Sequence, residues 1–236
     1  MTPRLDQRLV DLGLAPSRAR ARALIEAGAV RVGGRPVTRP AARTEGEVEV
    51  AETFPWVGRG ALKLLHALDR FGLTPQGSAL DIGASTGGFT QVLLARGAAH
   101  VTALDVGHGQ FDPSLRADPR VTVLEGVNAR ALPPLAPPDW ITADVSFISL
   151  KLALPPALAL ACPGAQLVAL VKPQFEAGPA HVGKGGIVRD PAVHARVCDE
   201  IAAFLAAAGW QILGLTESPV GGDGNREFLI AARKPG

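Results

Sequence analysis

The sequence predicts an α/β fold, with a doubly wound, mostly parallel sheet that follows a small basic domain. Three observations predict it. Apolar runs typical of strands alternate with helical periodicity from residue 60 to the end of the chain, a pattern that favours parallel strands joined by helices. The strands are predicted near residues 78–82, 101–105, 121–125, 139–143, 166–171, 211–216 and 227–233, and the helices near residues 60–71, 88–96, 150–161 and 190–208. A glycine-rich turn lies between the first of these strands and a helix. Arginines are concentrated in the first 43 residues, which sets that segment apart in composition.

The bulk properties exclude several classes of protein. The chain has 236 residues, of which 47% are hydrophobic, enough for one medium-sized domain and one small domain. No apolar run reaches the roughly 18 residues of a membrane span, and residues 1–9 do not resemble a signal peptide. Cys162 and Cys198 fit core thiols in a reducing compartment, and one helical turn between His194 and Cys198 offers too few ligands for a metal. We therefore expect a cytoplasmic protein with no metal site and no membrane partner.

The N-terminal segment combines helical periodicity with strong positive charge. Residues 1–43 hold nine arginines against three acidic residues, although the whole chain carries a net charge of only +2. Apolar spacing predicts a first helix over residues 4–12, and Ser17 predicts the N-cap of a second over 18–27. Arginines in the first turns of a helix oppose its dipole, so contact with a polyanion explains them better than helix stability. A solvated basic helix is the alternative.

Residues 4–37, RLDQRLVDLGLAPSRARARALIEAGAVRVGGRPV, resemble the S4-type RNA-binding domain. The residue pattern itself predicts short strands over 30–32 and 48–50. Over about 50 residues the resemblance implies a small α+β domain that recognises structured RNA by shape and phosphate. We predict that this domain spans residues 1–53, that 54–59 form a linker and that 60–236 form the second domain. The residues predicted to contact RNA are Arg4, Arg8, Arg18, Arg20, Arg22, Arg31, Arg35 and Arg59.

Residues 78–105 predict a nucleotide-binding unit of strand, glycine loop, helix, strand and carboxylate. The loop over 81–88 reads D-x-G-x-S-x-G-G. It resembles the D-x-G-x-G-x-G loop of S-adenosylmethionine (SAM) dependent methyltransferases, with Ser85 in the middle glycine position. Asp105 ends the second strand, where a carboxylate can accept hydrogen bonds from ribose hydroxyls. A glycine turn needed only for tight packing is the alternative. The residues predicted to bind the cofactor are Asp81, Gly83, Ser85, Gly87, Gly88, Phe89, Asp105, Val106, Asn128 and Asp144.

Five apolar runs of the second domain end on, or are closely followed by, a polar residue: Asp81, Asp105, Asn128, Asp144 and Lys172. In a doubly wound sheet the ligand crevice lies at the carboxyl ends of the strands. A lysine that closes the run LVALVK is unfavourable there unless it is paired or functional. Near a carboxylate and a second lysine, its pKa can fall enough for the amine to act as a base.

The chain from Trp56 to Glu227 resembles the FtsJ-like ribose 2′-O-methyltransferases, whose Lys-Asp-Lys-Glu tetrad has candidates at Lys63, Asp144, Lys172 and Glu227. The S4-like domain with GASTGGFT, ALDVGHGQ, DVSFISL, LVKPQFE and SPVGGDGNREFL is similar to the TlyA (haemolysin A) family. This resemblance implies a Rossmann-like seven-stranded sheet ending in a hairpin, SAM as cofactor, and 2′-O-methylation of cytidine in ribosomal RNA. The implied partners are ribosomal RNA and ribosomal subunits; the sequence indicates no protein partner.

The same resemblance implies a role for each member of the tetrad. Lys172 takes the proton of the 2′-hydroxyl, Asp144 and Glu227 hold and tune this lysine, and Lys63 orients the substrate or supplies positive charge. A network of surface salt bridges is the structural alternative. At the level of function, a base-methylating or other SAM enzyme, a membrane-active haemolysin and an RNA-binding module with an inactive enzyme domain are the alternatives.

Two segments depart from known patterns. Gly58-Arg59-Gly60 stands where family members commonly have Ser-Arg-Gly, so a role for that serine does not carry over. Residues 178–184 approach a P-loop, but Gly185 replaces the serine or threonine that Mg²⁺ needs, which argues against a nucleoside triphosphatase. We expect instead a mobile loop over the active site at residues 176–187.

Overall fold

A computed structural model of the chain describes residues 2–26, 28–50, 55–221 and 224–236. The last residue of the predicted second helix, Ala27, and the first residue of the predicted linker, Phe54, lie outside these ranges. The chain divides into two compact units, residues 1–61 and residues 62–236.

The smaller unit has two short helices and a small antiparallel sheet, as the sequence predicted. Its elements are α1 (Leu5–Asp11), α2 (Arg18–Glu26), β1 (Val30–Val32), β2 (Arg35–Pro36) and β3 (Val48–Val50). The strand order is β2-β1-β3, with both pairs antiparallel. Leu5 and Leu9 of α1 and Leu24 and Ile25 of α2 are buried, so the apolar stripes of the two helices form the core of this unit.

The larger unit alternates strands and helices. Its strands are β4 (Ser78–Ile82), β5 (His100–Asp105), β6 (Val121–Glu125), β7 (Trp140–Ala143), β8 (Gln166–Val171), β9 (Gln211–Glu217) and β10 (Phe228–Arg233). Its helices are α3 (Gly60–Phe71), whose first turn contains the boundary between the units, α4 (Gly88–Ala95), α5 (Pro113–Arg116), α6 (Leu150–Ala153), α7 (Pro155–Leu160), α8 (Pro173–Glu176) and α9 (Pro191–Ala207). None of the helices in the described ranges is long and apolar enough to cross a membrane.

The seven strands of this unit form one sheet in the order β6-β5-β4-β7-β8-β10-β9. Strands β4 to β8 pair in parallel, whereas β10 is antiparallel to both β8 and β9. The predicted mostly parallel sheet with a terminal hairpin is therefore confirmed. Strand β4 lies between β5 and β7. The chain therefore builds the sheet first on one side of β4, with β5 and β6, and then on the other side, from β7 onward, which opens a crevice at the carboxyl end of β4.

The prediction of one helix over residues 150–161 is wrong. The chain forms α6 and then α7, and Pro155 stands at the first position of the second helix. A proline has no N–H to donate, and its ring clashes with the preceding turn, so a continuous helix is unfavourable there while a new helix start is tolerated. The break lies shortly after the chain segment that joins β7 to α6.

Candidate active site

Four polar side chains meet at the carboxyl end of the parallel strands. Lys63 of α3 donates a hydrogen bond to Glu227, with 2.7 Å between Nζ and Oε2, and its Nζ lies 3.5 Å from Asp144 Oδ2. Lys172 Nζ lies 2.6 Å from the other oxygen of Asp144, Oδ1. The structure thus brings the four predicted tetrad residues together in the order Lys172–Asp144–Lys63–Glu227.

The sheet explains why these residues meet. Asp144 directly follows β7 and Lys172 directly follows β8, and these strands are parallel neighbours, so their carboxyl ends lie side by side. Strand β10 runs the other way, and its first residue, Phe228, is paired with Val171. Glu227, one residue earlier, is therefore placed at the same edge as Lys172. The topology of the sheet thus brings Asp144, Lys172 and Glu227 together at one edge.

The side chains of this site are largely buried, so each charge is compensated by its neighbours in the tetrad and not by water. The exposed fractions of Lys63, Lys172 and Glu227 are 9%, 8% and 3%. Burial by itself raises the pKa of Asp144, but the charges and hydrogen bonds of Lys63 and Lys172 lower it more, so the net shift is below the ordinary value. Asp144 is thus an ionised carboxylate at neutral pH that holds two lysines.

Ser146 is a member of the site that the sequence reasoning missed. Its hydroxyl oxygen accepts a hydrogen bond from Lys172 Nζ at 3.0 Å. Lys172 is therefore held by two oxygens of the segment after β7, one from Asp144 and one from Ser146. The only signal for Ser146 in the sequence was its place three residues after the end of a strand.

The glycine loop after β4 approaches the same end of the sheet. Gly83 has a φ of +81°, and a Cβ atom added there would lie 2.5 Å from the carbonyl oxygen of Asp144. Ser85 also has a positive φ, +49°, and its backbone N–H donates to Asp105 Oδ2 at 2.7 Å. The other oxygen of Asp105 accepts from the backbone N–H of Gly107 at 2.7 Å. The carboxylate at the end of β5 thus fixes two loops at once.

A cavity of about 930 Å³ lies between these loops. Six of the ten residues predicted to bind a cofactor line it, namely Gly83, Ser85, Asp105, Val106, Asn128 and Asp144. Its lining also includes apolar side chains, among them Leu152 and Phe175. A crevice of this size, apolar with a few convergent polar groups, is typical of a small-molecule site.

Asp81 does not line the cavity and is instead fully buried beneath the loop. Its two carboxylate oxygens accept hydrogen bonds from the hydroxyls of Thr90, at 2.7 Å, and Thr142, at 2.9 Å. Burial raises the pKa of Asp81 to about 6, and these hydroxyls lower it in part. Asp81 therefore joins β4 to both α4 and β7.

The remaining predicted cofactor residues, Gly87, Gly88 and Phe89, lie where the loop enters α4, and they too are outside the described lining of the cavity. A Cβ atom added to Gly87 would lie 2.7 Å from the side chain of Leu115. Phe89 is buried. In this structure these residues pack the start of the helix against its neighbours.

Phe147 is the second feature that the sequence did not reveal. The residue has a φ of +63°, which is uncommon for any residue other than glycine, and its side chain is 92% exposed. Its ring centroid lies 5.2 Å from that of Phe175, and both residues line the cavity. A large aromatic ring is thus held in the open at the edge of the cavity.

In the smaller unit, three of the predicted RNA-binding arginines stabilise the fold. Asp6 is fully buried and accepts hydrogen bonds from Arg4 at 3.0 Å and from Arg18 at 3.1 Å. The hydrogen bond from Arg4, with that from Arg18 and both charges, lowers the pKa of Asp6 to about 2 although burial opposes the shift. Arg8 donates to the backbone carbonyls of Thr44 and Gly46.

The other predicted arginines differ in their surroundings. Arg59 forms an ion pair with Glu26 at 2.6 Å, and Arg20 is half-buried on α2. Arg22, Arg31 and Arg35 are exposed and form no ion pair with another residue of the described ranges. Among the predicted arginines, these three side chains therefore present a charge that no acidic residue of the described ranges compensates.

The sheet order, the glycine loop and the carboxylate at the end of β5 define an α/β enzyme with the methyltransferase fold. The N-methyltransferase NodS from Bradyrhizobium japonicum, solved in complex with S-adenosyl-l-homocysteine, shares this fold with a TM-score of 0.54 at 12% identity, over 78% of this chain and 90% of that chain. The family model of the FtsJ-like methyltransferases matches residues 56–234, and that of the S4 domain matches residues 3–50.

Similar proteins cover both units. A relative from Mycobacterium tuberculosis H37Rv, named 16S/23S rRNA (cytidine-2′-O)-methyltransferase TlyA, is 48% identical over 98% of this chain and 89% of its own length. Hemolysin A of Brachyspira hyodysenteriae is 38% identical over 96% of this chain and 98% of its own. A solved protein of Streptococcus thermophilus, provisionally named a hemolysin, has a TM-score of 0.78 at 40% identity and covers all of this chain and 90% of its own. The chain belongs to the FtsJ-like methyltransferases and, within them, to the TlyA (haemolysin A) family.

Proposed function

We propose that this protein transfers a methyl group from SAM to the ribose 2′-hydroxyl of a cytidine in ribosomal RNA. The single observation that carries the proposal is the buried chain of contacts Lys172–Asp144–Lys63–Glu227 beside a cavity lined by a glycine loop. The name of the M. tuberculosis relative, which is 48% identical, supports both the ribose and the cytidine. An enzyme that acts on ribosomal RNA would work in the cytoplasm.

The cavity fits SAM in size and in chemistry. Its volume of about 930 Å³ lies within the usual range for a site of this kind. The backbone N–H groups of Ser85 and Gly107 aim the carboxylate of Asp105 at the cavity edge, where it can accept from ribose hydroxyls. Gly83 lacks the Cβ atom that would meet the neighbouring strand end and narrow the approach. When bound, SAM supplies a methyl group on an electrophilic sulfonium.

The tetrad would then remove the proton of the weakly acidic 2′-hydroxyl. Lys172 must first release its own proton, so that Nζ is a neutral amine. This amine would then take the proton of the 2′-hydroxyl while the methyl group passes from the sulfonium of the bound cofactor to the 2′-oxygen. The step produces an ammonium group that Asp144 stabilises at 2.6 Å. Lys63, held by Glu227, contacts the other oxygen of Asp144 and so fixes this carboxylate. Alignment of the hydroxyl with the methyl group would supply much of the remaining acceleration.

Two surfaces suit an RNA substrate. The smaller unit carries exposed arginines, which bind phosphate through charge and are expected to recognise RNA by shape. In the larger unit the exposed ring of Phe147 lies at the cavity, and aromatic rings stack on unpaired bases. We propose that the first surface binds folded ribosomal RNA and that the second receives the target nucleotide.

The position of the transferred methyl group tests this function. The purified protein would be incubated with isolated small or large ribosomal subunits and isotope-labelled SAM, and the RNA would be digested to nucleosides for mass spectrometry. We expect the label in 2′-O-methylcytidine from at least one subunit. Label on a base would contradict ribose methylation, and absence of label from both subunits would contradict the RNA substrate.

A further inference from the structure

Two chain segments lie side by side at the end of the sheet: residues 144–150, which follow β7, and residues 172–176, which follow β8. At the end nearest the strands they are joined by Lys172, whose Nζ contacts both Asp144 and Ser146. This contact belongs to the tetrad. The contacts at the other end of the two segments involve no member of the tetrad.

At that far end, Glu176 joins the segments a second time. Its Oε2 accepts a hydrogen bond from the hydroxyl of Ser149 at 2.5 Å, and its Oε1 accepts from the backbone N–H of Leu150 at 2.7 Å. The Ser149 oxygen in turn accepts from the backbone N–H of Lys151 at 3.1 Å. One carboxylate thus satisfies two donors where the first segment turns into α6.

Between these two joints the segments are in contact through their aromatic rings. The ring centroids of Phe147 and Phe175 are 5.2 Å apart. Phe147 also has the positive φ of +63°, a conformation that persists only when surrounding contacts impose it. Because this side chain is 92% exposed, little packing of its own can impose that conformation. The contacts that flank it, at Lys172 and at Glu176, hold the segment on either side of this residue.

We propose that Glu176 is a positioning residue for methyl transfer, which locks residues 144–150 against residues 172–176. The lock keeps Asp144 and Ser146 on Lys172 and presents Phe147 at the cavity. The inference rests on the proposed function, because it assigns Glu176 a role in that reaction. Glu176 itself lies one helical turn beyond Lys172, and within the described ranges no hydrogen bond or ion pair joins it to a member of the tetrad.

The charges around Glu176 provide a matched control. Glu200 of α9 forms ion pairs with Lys151 at 2.8 Å and with Arg196 at 2.7 Å, and it belongs to the same group of charges. Unlike Glu176, it is half-exposed and has charged partners, and no hydrogen bond within the described ranges joins it to residues 144–150. Burial raises the pKa of Glu176, and the donors on Ser149 and Leu150, with the charge of Lys151, offset part of this rise.

The experiment compares Glu176→Ala, Glu176→Gln and the control Glu200→Ala in the full-length protein. Amide hydrogen exchange of peptides that span residues 144–150 reports the lock directly, without any need for activity. We expect exchange to become about tenfold faster in Glu176→Ala and to stay close to the wild-type rate in Glu200→Ala. The same Glu176→Ala change should lower kcat by about tenfold or more, because even a small displacement of the reacting groups lowers the reaction rate strongly.

Glu176→Gln keeps an oxygen that can accept from Leu150 and an amide that can donate to Ser149, so we expect its kcat to stay within about threefold of wild type. Glu176→Asp is too short to reach both donors and should resemble Glu176→Ala, so it replaces that variant if alanine prevents folding. Folded Glu176→Ala or Glu176→Asp with wild-type exchange and kcat would overturn the inference. A wild-type protein that methylates no RNA would refute the proposed function instead, while the exchange comparison would still decide whether Glu176 is the lock.

Discussion

Lys63 and Glu227 form a buried ion pair, 2.7 Å from Nζ to Oε2, although 164 residues separate them in the chain. The pair joins α3, the first helix of the larger unit, to the residue before β10, its last strand. Glu227 is 3% exposed, so its charge is compensated by this lysine and not by water. The pair therefore links the two ends of the methyltransferase fold at the site where Asp144 lies.

Removal of one partner of this pair should destabilise the larger unit strongly. Lys63→Met leaves the buried carboxylate of Glu227 without its cation, and we expect the free energy of unfolding to fall by about 3 kcal/mol. The double variant Lys63→Met, Glu227→Gln should recover much of that loss, because no uncompensated charge remains there. Urea denaturation of the four proteins of this cycle measures the coupling. Additive effects of the two changes would show that the pair does not stabilise the fold.

Gly83→Ala should damage the site more than other glycine replacements. The new Cβ atom would lie 2.5 Å from the carbonyl oxygen of Asp144, so the strand end that carries this catalytic candidate must shift. Gly209→Ala is the matched control, since its φ is +84° and nothing lies within 4 Å of the added atom. Both variants strain the backbone, by about 1–2 kcal/mol. Only Gly83→Ala should lose S-adenosylhomocysteine binding in calorimetry; equal affinities would contradict the close approach.

Asp81→Asn should change how stability depends on pH. The pKa of Asp81 is raised by burial to about 6, above its ordinary value of 3.8. The folded protein therefore holds this proton more tightly than the unfolded chain, so the contribution of Asp81 to stability is greatest below pH 4 and declines as the pH rises to 6. In the asparagine variant this decline, on the order of 3 kcal/mol, should disappear. Thermal unfolding of both proteins from pH 4 to 7 measures it, and identical pH profiles would exclude the buried carboxylate as the cause.

The exposed arginines of the smaller unit should contribute to RNA affinity and not to folding. We expect Arg22→Ala, Arg31→Ala and Arg35→Ala to reduce the salt dependence of RNA binding, each by about one in the slope of log K against log salt. Arg18→Ala should instead lower the melting temperature, because it removes a partner of the buried Asp6. Filter binding at several salt concentrations and thermal unfolding separate the two groups. Unchanged slopes in the first three variants would place the RNA elsewhere.

The strands and the ends of the strands could be predicted from the sequence. Apolar runs with a polar residue at the end are a local pattern, and all seven predicted strands of the larger unit are present. The tetrad came from a family resemblance, and its geometry depends on the pairing of β8 with β10, which no local pattern reveals. The single helix predicted over 150–161 is wrong because Pro155 cannot continue a helix and instead starts a new one.

Other parts of the site could not be predicted because the residue type does not distinguish their roles. A glycine needed for close approach to a ligand and one needed for packing look alike, yet Gly83 lines the cavity while Gly87 lies against Leu115. Asp81 precedes the loop as a ligand-binding carboxylate would, but it lies beneath it. Ser146, Phe147 and Glu176 gain their roles from contacts between two strand ends.

The central claim is that Lys172 takes the proton during methyl transfer, and single-turnover kinetics of Lys172→Ala test it most directly. The assay would use the ribosomal subunit that the wild-type protein methylates, with S-adenosylhomocysteine affinity measured in parallel. Lys234→Ala is the control, since Lys234 lies outside the tetrad and binds backbone carbonyls of residues 158 and 161. We predict a rate lower by about 10²-fold or more in Lys172→Ala, with cofactor affinity within about twofold of wild type. A folded Lys172→Ala protein that methylates at the wild-type rate would contradict the claim.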